Sequence, residues 1–258
     1  MKVVILAGGF GTRISEESHL RPKPMIEIGG MPILWHVMKF YSSFGLNDFI
    51  ICAGYKQSVI KEWFSDYYIN HSDVTFDFVK KEKITVHSTE TDPWRVTVVD
   101  TGLNTMTGGR IKRIARYLDD EPFLLTYGDG LCNVDIDKEL EFHRSHGKLA
   151  TLMAVHPGSR FGVLEIEKNQ IHAFREKNDA DAGWINGGFM VLDPKVIDYI
   201  EGDSTVFERE PLEALVRDGE LMAFRHRGFW HCMDTMRDKE RLETLWSTNK
   251  APWKRWED

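Results

Sequence analysis

Apolar and polar residues follow two patterns along the chain, one that predicts strands and one that predicts helices. Short apolar runs, typical of buried strands, predict β-structure over Lys2–Ala7, Asp48–Ala53, Val74–Val79, Pro122–Tyr127 and Leu149–His156. Apolar residues three or four positions apart predict helices over Pro32–Phe44, Lys56–Tyr68, Thr107–Leu118, Asp135–His146 and Thr235–Trp246. The pattern therefore indicates an α/β protein.

The order of these elements favours a mostly parallel, Rossmann-like sheet whose helices form right-handed crossovers between strands. In such sheets ligands bind beyond the carboxyl ends of the strands, where the loops gather. Two glycine-containing segments, Gly8–Arg13 and Gly128–Gly130, directly follow predicted strands. We therefore expect the binding site at this end of the sheet.

Two stretches depart from the alternating order. Residues 82–107 contain short β-like runs at Ile84–His87 and Arg95–Val99, and we expect a protruding hairpin arm outside the main sheet. A monomer would expose Trp94 of this arm, so we expect a homo-oligomer in which the arm contacts another subunit. Residues 161–191 contain short runs typical of an antiparallel subregion. No linker divides the chain, and we expect one domain over residues 1–258.

The composition of the chain limits the classes of protein to which it can belong. The chain has 258 residues, 42% of them hydrophobic, and a net charge of −7, so one well-packed domain is expected and nucleic acid is disfavoured as a partner. Cys52, Cys132 and Cys232 are far apart and odd in number, which argues against a disulfide framework or a structural zinc site. No signal peptide is evident, and no apolar run reaches the roughly 18 residues that cross a bilayer. We expect a soluble, cytoplasmic protein without membrane contact.

The segment after the first strand is the most informative one in the chain. Its glycines let backbone N–H groups approach a base or a phosphate closely. Lys23 adds a cation between Pro22 and Pro24, which restrict the backbone around it. The spacing fits neither a Walker A loop nor a dinucleotide fingerprint. We predict a different nucleotide-binding loop, formed by Leu6, Ala7, Gly8, Gly9, Phe10, Gly11, Thr12 and Arg13 together with Lys23.

Three further positions are candidates for binding an ion, and the first two also suit a capping role. Asp129 lies between glycines at a strand end, where it either caps a turn or holds a divalent cation. Asp234 either caps the last helix, a role that Thr235 also suits, or binds a cation. The glycine pair before Arg110 opens a helix, so free N–H groups could form an anion site there with Arg110 as the functional charge.

The combination Gly-Gly-x-Gly-Thr-Arg and Pro-Lys-Pro, at the opening of the chain behind a strand, resembles the sugar-1-phosphate nucleotidylyltransferases. That resemblance covers almost the whole chain and implies a nucleotidyltransferase sheet. It also implies a Mg²⁺ ion held by Asp129 and Asp234. In this family the phosphates are already anions, so catalysis would consist of positioning and charge neutralisation by Lys23, Arg13 and Asp129.

The same resemblance implies a sugar-binding region in the antiparallel part of the chain. Glu176 would meet sugar hydroxyls and Lys177 the sugar phosphate, although Asn178 stands where the family has proline. Asn186 and Gly187 would form a sugar-binding turn. From the residues alone, the Glu–Lys pair also suits an exposed surface turn and Asn-Gly-Gly also suits a hairpin turn.

Several segments resemble one branch of the family, the cytidylyltransferases that use glucose 1-phosphate; they are Val99–Gly102, Met106–Arg110, Tyr127–Gly130, Ile185–Phe189 and Ala251–Trp256. This resemblance implies CTP and glucose 1-phosphate as substrates and CDP-glucose, a precursor of dideoxyhexoses in the lipopolysaccharide O-antigen, as product. Thr105 is expected to contact the nucleotide and could even reach the nucleotide of a neighbouring subunit.

Three alternatives stay open. One is a thymidylyl- or uridylyltransferase that acts on a hexose 1-phosphate. Another is a non-catalytic subunit that binds nucleotide sugars, although the chain retains Asp129, Lys23 and Arg13. The third is a glycosyltransferase with an Asp-x-Asp metal motif, but Asp135 and Asp137 lie at a predicted helix start and indicate capping instead.

Overall fold

A computed structural model describes residues 1–14, 17, 19–79, 83–156, 163–167, 169–175 and 183–256. The strands are β1 (Lys2–Ala7), β2 (Glu27–Ile28), β3 (Met31–Pro32), β4 (Asp48–Ala53), β5 (Ser72–Asp77), β6 (Lys83–Thr89), β7 (Arg95–Asp100), β8 (Phe123–Tyr127), β9 (Gly130–Cys132), β10 (Ala150–Val155), β11 (Val163–Glu167), β12 (Gln170–Arg175), β13 (Trp184–Leu192), β14 (Leu221–Arg225) and β15 (Trp230–Cys232). The α-helices are α1 (Ile33–Ser42), α2 (Gln57–Asn70), α3 (Thr107–Arg113), α4 (Ile136–His146), α5 (Glu210–Arg217) and α6 (Met236–Ser247). Short 3₁₀ turns cover Thr12–Ile14, Lys23–Met25, Ala115–Tyr117 and Pro194–Tyr199.

Nine of these strands form the central sheet, in the order β10-β14-β12-β11-β13-β8-β1-β4-β7. The half made of β8, β1, β4 and β7 is parallel. Helices and loops cover both of its faces, so Val3, Val4 and Ile5 of β1 are completely buried. The structure confirms the predicted fold class, a mostly parallel α/β sheet with an antiparallel subregion.

The antiparallel subregion joins the parallel half through β13. This strand pairs antiparallel with β8 on one side and with β10 and β11 on the other. The predicted elements did not include helix α5 or strand β14. Strand β14 pairs parallel with β10. Helix α5 spans only eight residues, and β14 is a run of four apolar residues before Arg225, so neither gives a long periodic signal.

The boundaries predicted for the protruding arm, residues 82–107, are wrong. The hairpin is formed instead by β5 and β6, which pair only with each other among the described strands. Strand β7 belongs to the central sheet as its edge strand, in register with β4. Trp94 packs against Phe49 and Tyr67 and donates a hydrogen bond to Ser42, so this tryptophan stabilises the fold rather than an interface.

Helix termini resolve two of the ambiguous acidic residues. The side chain of Asp135 accepts a hydrogen bond from the Lys138 backbone N–H and caps α4, which confirms the capping interpretation of the Asp-x-Asp segment. Thr235 caps α6 and forms a capping box with Asp238. Asp234 is therefore not the capping residue.

Two histidines of α4, His143 and His146, contact a threonine of the neighbouring strand. His143 is buried, and one of its ring nitrogens lies 2.9 Å from the hydroxyl oxygen of Thr151. A ring nitrogen of His146 lies 2.8 Å from the same oxygen. The face of α4 that carries them packs on β10, so these polar rings face a strand instead of solvent.

Aromatic residues near the chain's end pack on helix α1. Trp253 is completely buried, and its indole N–H donates to His36 at 3.3 Å. Trp246 and Trp256 surround the same histidine and Trp35. These tryptophans therefore have a packing role.

Among the described helices, none combines the length and apolarity that a bilayer crossing requires.

A buried carboxyl group lies beneath the sheet on helix α4. Glu139 is completely buried, and neither of its carboxyl oxygens has a hydrogen-bond partner among the described residues. Burial raises its pKa from 4.5 to about 8. The folded protein therefore retains this proton at neutral pH, whereas the unfolded chain releases it.

This difference predicts a pH-dependent stability. Because the folded pKa is raised, the favourable contribution is complete below pH 4.5 and is lost as the pH rises towards about 8. Glu139→Gln should raise the free energy of unfolding more at high pH than at low pH, by up to about 5 kcal/mol at ~1.4 kcal/mol per pKa unit. Urea unfolding at several pH values measures this. Glu141→Gln, on the exposed side of the same helix, is the matched control, and an equal pH slope in both variants would contradict the assignment.

Candidate active site

A cavity of about 490 Å³ opens beyond the carboxyl ends of β1 and β8. It lies between the glycine loop and the segment that leads into α3. All of the predicted nucleotide-binding residues with a described side chain line it. The lining consists of Leu6, Ala7, Gly8, Gly9, Phe10, Gly11, Thr12, Lys23, Pro24, Leu103, Asn104, Thr105, Met106, Thr107, Arg110, Tyr127, Gly128 and Asp129.

The three glycines of the loop have three different roles. Gly9 has open space where a side chain would start, so its backbone faces the cavity. Gly11 has a φ of 66°, in the left-handed region that glycine adopts readily. A Cβ atom on Gly8 would lie 2.2 Å from Nη1 of Arg110. A side chain at this position would collide with Arg110, and Gly8 at the same time lines the cavity.

Arg110 lines the cavity, and its side chain is also engaged within the protein. Its guanidinium is buried and donates to the carbonyls of Gly8 at 3.0 Å and Gly102 at 2.7 Å, and to the Thr101 hydroxyl at 2.8 Å. Longer contacts reach the carbonyls of Ala53 and Leu103. Arg110 thus fixes the glycine loop against the opposite wall of the cavity.

The predicted anion site at the start of α3 is wrong. The N–H groups of Gly108 and Gly109 both donate to the carbonyl of Thr205, at 3.0 and 3.3 Å. A Cβ on either glycine would collide with the segment around residues 203–205. The glycine pair therefore allows close packing of two backbones. Thr105, just before this helix, lines the cavity of its own chain.

Lys23 joins the two acidic residues that the sequence analysis placed at a metal. Its ammonium lies 2.5 Å from a carboxylate oxygen of Asp129 and 2.6 Å from one of Asp234. The side chains of Lys23 and Asp234 are about nine-tenths buried. Burial alone would lower the pKa of Lys23, but the charges of Asp129, Cys232 and Asp234 raise it above its ordinary value. Lys23 therefore remains an ammonium at neutral pH.

A short ladder brings these carboxylates together. Strands β9 and β15 pair antiparallel with Cys232 opposite Gly130, and the Met233 N–H donates to the Asp129 carbonyl at 2.9 Å. Ligand atoms of Asp129, Asp234 and Cys232 all lie within 4.8 Å of one another. The two carboxylates already share one cation, the Lys23 ammonium, so the residues fit a divalent cation. Sequence reasoning missed Cys232, since the pairing of residues a hundred positions apart leaves no local signal.

The sugar-binding prediction falls partly on described residues. Asn186 and Gly187 lie inside the continuous strand β13, so the hairpin-turn alternative is wrong. Neither residue lines the cavity. They adjoin it through Gly188, whose φ of 77° lets the Tyr127 ring pack closely. Glu176, Lys177 and the side chain of Arg13 lie outside the described part of the chain.

Tyr127, at the end of β8, is connected through Glu208 to the start of α3 on the other side of the cavity. The sequence did not predict this connection. The hydroxyl of Tyr127 donates to the carboxylate of Glu208, and the other oxygen of that carboxylate accepts from Thr107 at the start of α3. Burial and the Glu208 charge raise the pKa of Tyr127 well above its ordinary value. The tyrosine therefore stays protonated. Its position directly before the predicted glycine–aspartate turn was the available signal.

The fold and this site define a class of protein. A family model described as nucleotidyl transferase matches residues 2–257, and the chain belongs to that family. It is 57% identical over 258 residues to the glucose-1-phosphate cytidylyltransferase of Salmonella typhi, with 100% of both chains covered.

Further comparisons agree with this likeness. The chain is 45% identical over 257 residues to the probable glucose-1-phosphate cytidylyltransferase of Bacillus subtilis, which covers 99% of this chain and 100% of that protein. Among solved structures, HddC from Yersinia pseudotuberculosis matches with a TM-score of 0.75 at 25% identity and covers 95% of this chain and 99% of its own. The resemblance found in the sequence is confirmed, and the chain is an enzyme of the nucleotidyltransferase class.

The role of Arg110 as an internal brace is testable. Arg110→Leu should lower the free energy of unfolding by about 2–4 kcal/mol, because it leaves several buried acceptors without a donor. Arg113→Leu, on the same helix, removes only an exposed ion pair with Asp203 and should cost much less, because solvent screens such a pair. Equilibrium urea unfolding compares the two variants. Equal losses would show that Arg110 does not brace the loop.

Proposed function

We propose that this chain catalyses the transfer of a cytidylyl group from CTP to glucose 1-phosphate, giving CDP-glucose and pyrophosphate. The observation that carries the proposal is the shared ion pair of Lys23 with Asp129 and Asp234 at the mouth of a glycine-lined cavity. The full-length likeness to a glucose-1-phosphate cytidylyltransferase supports the choice of base and sugar.

The reaction requires no nucleophile from the protein. A phosphate oxygen of glucose 1-phosphate attacks the α-phosphorus of CTP, and the bond to the β-phosphate breaks as pyrophosphate leaves. Both reactants are anions at neutral pH, so their approach must be screened and their geometry held. The glycine loop offers backbone groups that hold the nucleotide, and Lys23 offers a permanent positive charge at the phosphates.

We assign Asp129 and Asp234 to a Mg²⁺ ion. Mg²⁺ prefers one or two carboxylates together with phosphate oxygens, and when bound it supplies charge neutralisation for the reacting phosphates. Lys23 lies between these carboxylates and also lines the cavity. Its ammonium is therefore within reach of both the carboxylates and a bound phosphate, and we assign it to the α-phosphoryl group.

We keep the remaining predicted contacts as part of the proposal. Arg13 would hold the departing pyrophosphate, and Glu176 and Lys177 the sugar and its phosphate. Asn186 and Gly187 adjoin Tyr127 at the cavity wall, which supports a sugar subsite on that side. We place the reaction in the cytoplasm, since three cysteines without disulfides suit a reducing compartment. Its product would feed dideoxyhexose synthesis for the lipopolysaccharide O-antigen.

We also propose a homo-oligomer, assembled through the hairpin of β5 and β6. Phe78 and Val79 are 89% and 93% exposed, and Phe76 and Ile84 are about half exposed. Such a cluster on a two-stranded hairpin is costly in water and typical of a contact surface. Sedimentation should show an oligomer that the double variant F78S/V79S dissociates, whereas Thr75→Ser on the same hairpin should leave it intact. A monomeric parent chain would refute this assembly.

The proposed activity predicts a nucleotide preference. In the presence of glucose 1-phosphate, pyrophosphate release should be faster from CTP than from UTP, by roughly tenfold or more in kcat/KM. A site that accepts a hydrogen bond from the cytosine amino group would leave that acceptor unpaired against uracil, at a cost of about 1–3 kcal/mol, and ~1.4 kcal/mol corresponds to tenfold. Equal use of both would exclude the cytidylyl assignment, and a preference for dTTP would favour a thymidylyltransferase.

Lys23→Ala supplies the control for this assay. Its charge acts on phosphates that all nucleotides share, so the substitution should lower kcat strongly for CTP and UTP alike and leave their ratio unchanged. A change confined to KM would assign Lys23 to uniform substrate binding. No turnover with any nucleotide in the parent chain would favour the non-catalytic subunit.

A further inference from the structure

Cys232 occupies a distinctive position relative to the two carboxylates. It ends strand β15 opposite Gly130, the residue that follows Asp129. Successive side chains of a strand point to opposite faces. Met233 is completely buried in the core, so Cys232 and Asp234 flank it on the other side. The Asp234 N–H donates to the Cys232 carbonyl at 3.1 Å, which holds this short bend.

The separation of the three groups suits one ion. The Cys232 sulfur and a carboxylate oxygen each from Asp129 and Asp234 lie within 4.8 Å of one another. Two ligands of one ion are separated by at most about 4.5 Å, since metal–sulfur bonds are about 2.3 Å and metal–oxygen bonds about 2.0–2.2 Å long. Only a small adjustment of side chains is therefore needed. Cys232 is partly exposed and not in a disulfide, whereas Cys52 and Cys132 are buried.

We propose that Cys232 is a third protein ligand of the divalent-cation site, so that this chain binds Zn²⁺, Cd²⁺ or Co²⁺ more tightly than Mg²⁺. This inference rests on the proposed assignment of Asp129 and Asp234 to the metal. Thiolate ligands favour thiophilic ions, and Mg²⁺ favours oxygen. As the metal–sulfur bond forms, the thiol proton leaves to solvent. Two carboxylates alone would produce a much smaller preference.

Lys23 gives the inference a second consequence. Its ammonium lies between the same carboxylates, so a metal must compete with it. Removing this charge should therefore tighten metal binding, whereas removing the sulfur should weaken the binding of thiophilic ions only. These opposite effects distinguish a shared site from independent ones.

The experiment titrates Co²⁺ into the full-length chain without a histidine tag or nucleotide and records the near-ultraviolet spectrum. The parent chain should develop a thiolate-to-cobalt charge-transfer band, and Cys232→Ser should not. Cys132→Ala removes a thiol from the opposite strand of the same ladder and should retain the band. Lys23→Ala should develop it at lower Co²⁺ concentration.

Competition with a zinc chelator gives the size of the effect. Loss of partners that surround a bound metal typically weakens affinity 10–100-fold, so Cys232→Ser should raise the Zn²⁺ dissociation constant by at least about tenfold. The Mg²⁺ constant, measured by calorimetry, should change much less. A parent chain that binds Co²⁺ without the band, or a band that persists in Cys232→Ser, would overturn the inference.

The outcome is separable from that of the proposed function. Pyrophosphate release with Mg²⁺ tests the cytidylyltransferase reaction, whereas the cobalt spectrum needs no substrate. A charge-transfer band in a chain that does not turn CTP over would reject the reaction and keep the ligand assignment. Turnover with Mg²⁺ in a chain that gives no band would do the reverse.

Discussion

The site depends on one buried cation shared between two carboxylates. The Lys23 ammonium lies between Asp129 and Asp234, and the side chains of all three are largely removed from water. Burying such charges is costly unless each has a partner. The three groups together carry more negative than positive charge, so they attract a further cation. The pairing therefore offsets the cost of burying these charges and leaves a net negative charge, which suits the proposed metal.

Three separate parts of the chain deliver these groups. Lys23 begins a 3₁₀ turn between two prolines, which fix the backbone before the side chain is placed. Asp129 follows β8, whose neighbour β1 ends in the glycine loop. Asp234 is carried by the ladder of β9 and β15, and Thr235 caps the following helix in its place. Each group is thus held by an element whose own stability does not require the ion pair.

The sequence predicted those parts of the site whose signal is local. The glycine loop, Lys23 and Asp129 each lie within a few residues of a strand end, and the structure places them around one cavity. It did not predict that Gly8 makes room for Arg110, or that Cys232 lies beside Asp129, because these contacts depend on pairing between distant segments. The predicted boundaries of the protruding arm were wrong for the same reason. Whether β7 pairs with β4 or with β6 depends on tertiary packing rather than on the residues of β7 alone.

Arg110 and Lys23 illustrate two uses of a buried cation. The guanidinium of Arg110 is surrounded by carbonyl and hydroxyl oxygens of the protein, so exchange for a ligand would leave those acceptors unpaired. Lys23 faces carboxylates that a divalent cation can satisfy equally well, so its partners are exchangeable. The walls of the cavity are thereby fixed before substrate arrives, and ordering them consumes little of the binding energy. Lys23 is thus the buried cation whose partners the proposed metal would share.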